Sequence, residues 1–126
     1  MIYGIGTDIF EVSRIRDVMD RDTGFREKIF TPSEIAYCEK MGFKHQNYAV
    51  RFSAKEAFLK ALGIGWRFGV SFTDIDVYHD NLGKPNIRLY GKADELVKRE
   101  GITGIHVSLS HLREMVTATV ILEKND

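Results

Sequence analysis

Asp8, Glu56 and Lys60 are the side chains whose types and spacing point to chemistry. Glu56 and Lys60 stand four apart in the run Arg51-Phe52-Ser53-Ala54-Lys55-Glu56-Ala57-Phe58-Leu59-Lys60-Ala61. On a helix, that spacing puts a carboxylate and an ammonium on one face. Asp8 lies in Gly4-Ile5-Gly6-Thr7-Asp8-Ile9, near the N-terminus. Two carboxylates beside an ammonium can hold a divalent cation and a phosphate side by side. Magnesium is commonly bound by one or two carboxylates and completes its octahedron with waters and phosphate oxygens. The reading requires Asp8 and Glu56 to meet. Taken separately, Asp8 reads equally as a capping or salt-bridged strand-end residue, and Glu56 as a solvated partner of Lys60.

Other motifs narrow the chemistry. Gly4-Ile5-Gly6 lacks the third glycine of a dinucleotide loop, because position 9 is Ile, and no clear βαβ unit follows. A Walker-type phosphate loop is absent, as is the Gly-x-Ser-x-Gly pattern of a hydrolase elbow. Ser108-Leu109-Ser110-His111 closes a β run. It reads either as a strand end turning into a hairpin or as small hydroxyls and an imidazole donating to phosphate oxygens. Arg14, Arg16 and Arg21 form either a solvated face or a landing surface for an acidic partner. Gly83-Lys84-Pro85 is a turn by composition, and Lys84 gains meaning only if it projects towards a ligand.

Positioning these groups falls to a recognisable series of elements. Residues 2–10 read as a strand in which Gly4 and Gly6 allow another backbone or a ligand to approach. Ser13 is the expected N-cap of a helix with Ile15, Val18 and Met19 as its buried stripe. Residues 25–30 make a short helical turn. Thr31-Pro32-Ser33-Glu34 starts a helix with a capping box and a proline at the first position, running to about residue 40. The central helix, residues 46–62, is expected to bury Ala54, Ala57 and Ala61 against a sheet and to carry alternating charge on its other side. It ends at Gly63, and Gly63-Ile64-Gly65-Trp66 makes an irregular turn. Residues 72–78 and 86–90 have period-2 character around the turn at 80–85. A short helix with Ala93, Leu96 and Val97 inward stops at Gly101. Two β runs, 104–110 and 115–123, end the chain. The order predicts an α+β fold, with a mainly antiparallel sheet packed against a long central helix.

The 126 residues suit one domain. Eighteen basic and eighteen acidic residues cancel, which argues against a broad basic nucleic-acid face. Cys38 is the only cysteine, so an intrachain disulfide is excluded and a reducing cytoplasm is expected. No basic region leads an apolar one at the start, and no run approaches the ~18 apolar residues of a membrane span.

Taken in order, five segments resemble the bacterial holo-acyl-carrier-protein synthases, the small single-repeat phosphopantetheinyl transferases. They are Gly4-Ile5-Gly6-Thr7-Asp8-Ile9; Arg51-Phe52-Ser53-Ala54-Lys55-Glu56-Ala57 with Lys60; Ser71-Phe72-Thr73-Asp74-Ile75; Gly83-Lys84-Pro85; and Val107-Ser108-Leu109-Ser110-His111. The resemblance implies transfer of the phosphopantetheine arm of coenzyme A to a serine of an apo acyl carrier protein, releasing adenosine 3′,5′-bisphosphate. The attacking hydroxyl then belongs to the partner, and fatty-acid synthesis is the default pathway. By the same resemblance Asp8 and Glu56 hold Mg2+, and Lys60 neutralises phosphate charge. Arg51, Lys84, Pro85, Ser110 and His111 contact coenzyme A, and Arg14 and Arg21 dock the acidic carrier. The general base is Glu56 or a metal-bound water, with the water preferred.

Relatives of this kind are homotrimers with coenzyme A in the cleft between subunits. The terminal strand alternates Val116, Ala118, Val120 and Leu122 with Met115, Thr117, Thr119 and Ile121. The second set suits either a subunit interface or a second packing layer. Ser53 is a small departure, standing where many relatives carry alanine.

Overall fold

Two glycines set how closely the first strand meets the central helix. In the computed structural model, which describes residues 1–21, 24–64 and 68–125, β1 (Ile2–Glu11) lies across α4 (Lys44–Leu62). A Cβ placed on Gly6 would fall inside the carbonyl of Ala57, and one on Gly4 inside that of Ala61. Only residues without side chains permit this approach. The expected small-residue stripe of α4 is its other half: Ala54 and Ala57 are fully buried and Ala61 nearly so.

β1 pairs antiparallel with β5 (Met115–Lys124), which pairs antiparallel with β4 (Ile102–His111). The sheet order is therefore β1-β5-β4, and the last strand of the chain is the central one. Val116, Ala118, Val120 and Leu122 point to α4 and are wholly buried. The alternate residues of β1, Ile5 and Ile9, are 62% and 65% exposed on the opposite face. A separate antiparallel hairpin, β2 (Ile75–His79) and β3 (Pro85–Leu89), stands on the other side of α4. The α+β expectation holds, with the antiparallel strands divided between two sheets.

Several local expectations are met for the reasons given. α3 (Pro32–Glu39) opens on the Thr31/Glu34 capping box, and α4 closes on Gly63 in the left-handed conformation at φ 83°. α2 (Phe25–Ile29) is a single short turn, and α5 (Gly91–Arg99) buries Ala93, Leu96 and Val97. Three expectations need correction. α1 (Val12–Arg21) starts directly after β1, so Ser13 lies inside its first turn and does not cap it. The Val12 N–H is satisfied by the Glu114 carbonyl at 2.9 Å, and the buried pair is Val12 and Ile15, with Val18 and Met19 half-buried. Phe72–Asp74 is a 3-10 turn rather than strand, because Asp74 folds back to accept from the Ser71 N–H at 3.1 Å. Gly65 and Trp66, part of the expected irregular turn, lie outside the described residues.

The charged side of α4 is the third correction. Arg51 and Lys55 are 1% and 0% exposed, so the helix is buried nearly all round. It is enclosed by the three-stranded sheet on one side and by α3, the 3-10 turn and β2 on the other. The Lys55 Nζ donates to the Ile29 and Phe72 carbonyls at 2.7 and 3.0 Å and meets Glu34 Oε1 at 2.7 Å. Glu34 also accepts from the Thr31 and Val77 N–H groups at 2.9 and 2.8 Å. Desolvation pulls the Lys55 pKa down, and the adjacent Glu34 carboxylate opposes that shift. Thr31 and Ser33 both donate to the buried Asp76, extending the same network into β2. Cys38 is fully buried and its thiol is pushed up to about 12 by desolvation, which makes it inert at neutral pH. Among the described residues no helix is long and apolar enough to cross a membrane.

Candidate active site at the β1–α4 contact

Strand alternation turns Asp8 towards the helix, on the same side as Gly4 and Gly6. Helical spacing places Ser53, Glu56 and Lys60 at i, i+3 and i+7, in a single stripe along α4. The two elements therefore bring together groups 48 residues apart in the chain (56 − 8). The Ser53 hydroxyl donates to Asp8 Oδ2 at 2.8 Å. The Lys60 ammonium donates to Asp8 Oδ1 at 3.1 Å and to the Thr7 carbonyl at 3.0 Å. Glu56 is half-buried beside them. Burial raises its pKa above the ordinary carboxylate value, the negative charge of Asp8 raises it further, and Lys60 opposes the shift.

An open cleft of about 370 Å³ fronts this group, lined by Thr7, Asp8, Ile9, Lys60 and Thr117. The donor set fits magnesium. Two carboxylates repel each other across a half-buried site, and one exposed lysine only partly compensates. Among the described residues no group of three or more His, Cys, Asp or Glu could form an all-protein cage. Asp8 facing an open cleft, with the half-buried Glu56 beside it, suits an ion that keeps waters and phosphate oxygens as its other ligands.

The remaining candidates lie elsewhere on the protomer. Arg51, five positions before Glu56, sits about 140° around the helix from it. Its guanidinium lies 4.4 Å from the Tyr37 ring centroid, its NH2 is 3.1 Å from His79 Nδ1, and its NH1 donates to the Asn47 carbonyl at 3.3 Å. Lys84 is exposed in the β2–β3 turn, where Asp80 accepts from the Leu82 and Lys84 N–H groups, both at 2.9 Å. Pro85 is paired with His79, so Arg51, Lys84 and Pro85 belong to one neighbourhood. Burial, and then Arg51, depress the His79 pKa.

Ser110 and His111 are exposed at the end of β4. Ser110 pairs with Thr117, which in turn pairs with Ile9, so β5 separates Ser110 from the strand that carries Asp8. Arg14 and Arg21 are exposed on α1, just beyond β1. A recess of about 350 Å³, lined by Arg16, Lys44, His45, Arg113 and Glu114 among others, shares no lining residue with the Asp8 cleft.

Sequence reasoning gave no functional weight to Ser53 and did not single out Tyr37 or His79. For Ser53 a signal existed, since it lies within the same motif and on the stripe of Glu56 and Lys60. The ring pair around Arg51 left no local pattern, because its members come from α3 and β2 while Arg51 lies on α4.

The chain belongs to the 4′-phosphopantetheinyl transferase superfamily, whose family model matches residues 4–118. The holo-[acyl-carrier-protein] synthase of Syntrophus aciditrophicus is 47% identical over 98% of this chain and 97% of its own length. A crystal structure of holo-[acyl-carrier-protein] synthase from Neisseria meningitidis is 40% identical with a TM-score of 0.90, covering 98% of this chain and all of the other. The Bacillus anthracis synthase, solved in complex with CoA (3′,5′-ADP), is 36% identical with a TM-score of 0.82, at 99% coverage of both chains. Within the superfamily this enzyme falls among the holo-[acyl-carrier-protein] synthases.

Proposed function

We propose that residues 1–126 form one phosphopantetheinyl transferase domain that moves the 4′-phosphopantetheine arm of coenzyme A to a serine of an apo acyl carrier protein, with Mg2+ held by Asp8 and Glu56. The observation that carries this reading is the convergence of Asp8 and Lys60 on one open cleft, with Glu56 close enough to feel both charges. It is supported by the relative bound to CoA (3′,5′-ADP).

In the reaction the carrier serine oxygen attacks the phosphorus bearing the pantetheine arm. The bond from that phosphorus to the bridging oxygen breaks, and adenosine 3′,5′-bisphosphate leaves with its electrons. Held by Asp8 and Glu56, a magnesium ion would supply charge neutralisation on the diphosphate. Lys60, 54% exposed at its side chain, swings from Asp8 to a phosphate oxygen and adds to that neutralisation. Beside the ion it would hold, Glu56 is the chain's own group able to accept the serine proton, directly or through a water. Asp8 and the β1–α4 contact keep these groups in register, which is most of what a phosphoryl-type transfer asks of a protein.

Incubating the enzyme with apo carrier, coenzyme A and Mg2+, followed by intact mass spectrometry of the carrier, tests the function. A phosphopantetheine increment that chelator removes is expected. An unmodified carrier, at any metal concentration, rejects the reading.

The second group of residues, Lys84 and Pro85 with the buried Arg51 behind them, completes the coenzyme A site of a neighbouring subunit in a homotrimer. Two features support this: their separation from the Asp8 cluster in one chain, and the exposed Ile5 and Ile9 on the outer sheet face. Subunit mixing is the check. Alone, Glu56→Gln should be inactive and Lys84→Glu impaired at subsaturating coenzyme A. An equimolar mixture, refolded together, should recover towards about a quarter of wild-type activity, the fraction of interfaces that pair two intact halves. Recovery no better than the average of the separate variants places the whole site within one chain.

Arg14 and Arg21 receive the acidic carrier. Arg14→Glu should raise KM for the carrier about tenfold or more, with KM for coenzyme A little changed. Equal rises in both constants remove the docking assignment. The reaction is placed in the cytoplasm, and fatty-acid synthesis is the pathway proposed to use it.

A further inference from the structure

Ser53 has an unusual position for a serine. It is 0% exposed in the middle of α4, where a hydroxyl ordinarily bonds back to the preceding turn of its own helix or faces solvent. Its bond runs instead to Asp8 Oδ2, 45 residues away in sequence. That oxygen is thereby turned inward, and the other, Oδ1, is left to Lys60 at 3.1 Å.

The two partners of the carboxylate are not equivalent. Lys60 is 54% exposed at its side chain, and its ammonium can move to another anion, whereas Ser53 is enclosed and has no room to leave. Asp8 itself is only 13% exposed at its side chain. A carboxylate held this way has one oxygen committed to the interior and one available to the cleft.

We propose that Ser53 is a positioning residue: its buried hydroxyl locks the Asp8 carboxylate so that Oδ1 is the oxygen offered to a divalent cation. The proposal rests on the reading of Asp8 as a metal ligand and adds the group that orients it. A hydrogen bond of this kind fixes the side-chain rotamer before the ion arrives, and outer partners of metal ligands are commonly worth tenfold or more in affinity.

The test is Mn2+ binding to the full chain in the presence of saturating coenzyme A, followed by electron paramagnetic resonance of the free ion, for wild type, Ser53→Ala and Ser53→Cys. Cysteine keeps the shape of serine but is a weak donor. Both variants should bind Mn2+ about tenfold more weakly than wild type, with KM for coenzyme A measured at saturating metal unchanged. In the transfer assay the Mg2+ concentration for half-maximal rate should rise by the same factor. Equal affinity in wild type and Ser53→Ala overturns the positioning role and leaves the metal site standing. Wild-type affinity in Ser53→Cys alone also overturns it, by showing that Ser53 only fills space. Absence of Mn2+ binding by the wild type rejects the metal reading of Asp8, and this proposal with it.

Discussion

Glu56→Gln is expected to abolish transfer and, at neutral pH, to raise the melting temperature of the metal-free protein. The activity loss should be on the order of a hundredfold to a thousandfold, the scale seen when one group stabilising transition-state charge is removed. The stability gain follows from the electrostatics of the cleft. Burial and the neighbouring Asp8 charge both raise the Glu56 pKa, so the folded state binds its proton more readily than the unfolded chain does. Folding is then favoured when Glu56 is protonated and opposed once it ionises. The wild type should close the gap to Glu56→Gln as pH falls through the raised value towards the ordinary carboxylate range. Added Mg2+ should stabilise the wild type and leave Glu56→Gln nearly unmoved. If thermal melts show the variant less stable than wild type without metal, Glu56 holds the fold and its assignment to the metal is wrong. Asp8→Asn should lose activity on the same scale.

Lys55→Met should be the most damaging substitution for the fold. It leaves the Glu34 carboxylate, 0% exposed at its side chain, without its cation, and it takes the ammonium donor from the Ile29 and Phe72 carbonyls, although the second still accepts from the Ile75 N–H. Removing one member of a buried ion pair typically costs about 3–5 kcal/mol, which for a domain of this size is a fall on the order of 10–20 °C in Tm. The double variant Lys55→Met/Glu34→Gln should recover a substantial part of that loss, since no buried charge then stands alone. Differential scanning calorimetry of the single and double variants measures this coupling. A single variant within 1 kcal/mol of wild type would mean that water enters and solvates Glu34.

The contrast between Glu56 and Lys55 marks the limit of local pattern. Both are charged residues in one helical run, and both read from the sequence as part of an outward face. In the fold Lys55 is sealed among α2, α3 and the 3-10 turn, whereas Glu56, one step of about 100° further round, opens towards β1. Helical periodicity separates the faces of α4, yet it does not say how many of them are covered. That depends on a second layer, supplied by α3 and the β2–β3 hairpin. The missed cap at Ser13 has a similar origin, because the β4–β5 connection provides the Glu114 carbonyl that the Val12 N–H needs.

What the chain's order of residues settled unaided was local and motif-borne. The Thr31/Glu34 box, the Gly63 stop, the inward set on β5 and the five family segments all rest on interactions within a few residues or on strand alternation. Those are short-range consequences of backbone geometry and side-chain shape. Tertiary structure alone decided which distant groups meet. It joined Asp8 to Ser53, Glu56 and Lys60 through the close β1–α4 contact that Gly4 and Gly6 permit. It also sent Arg51 to Tyr37 and His79. Such meetings are fixed by sheet order and layer packing across tens of residues, where no periodic pattern in the chain carries the information.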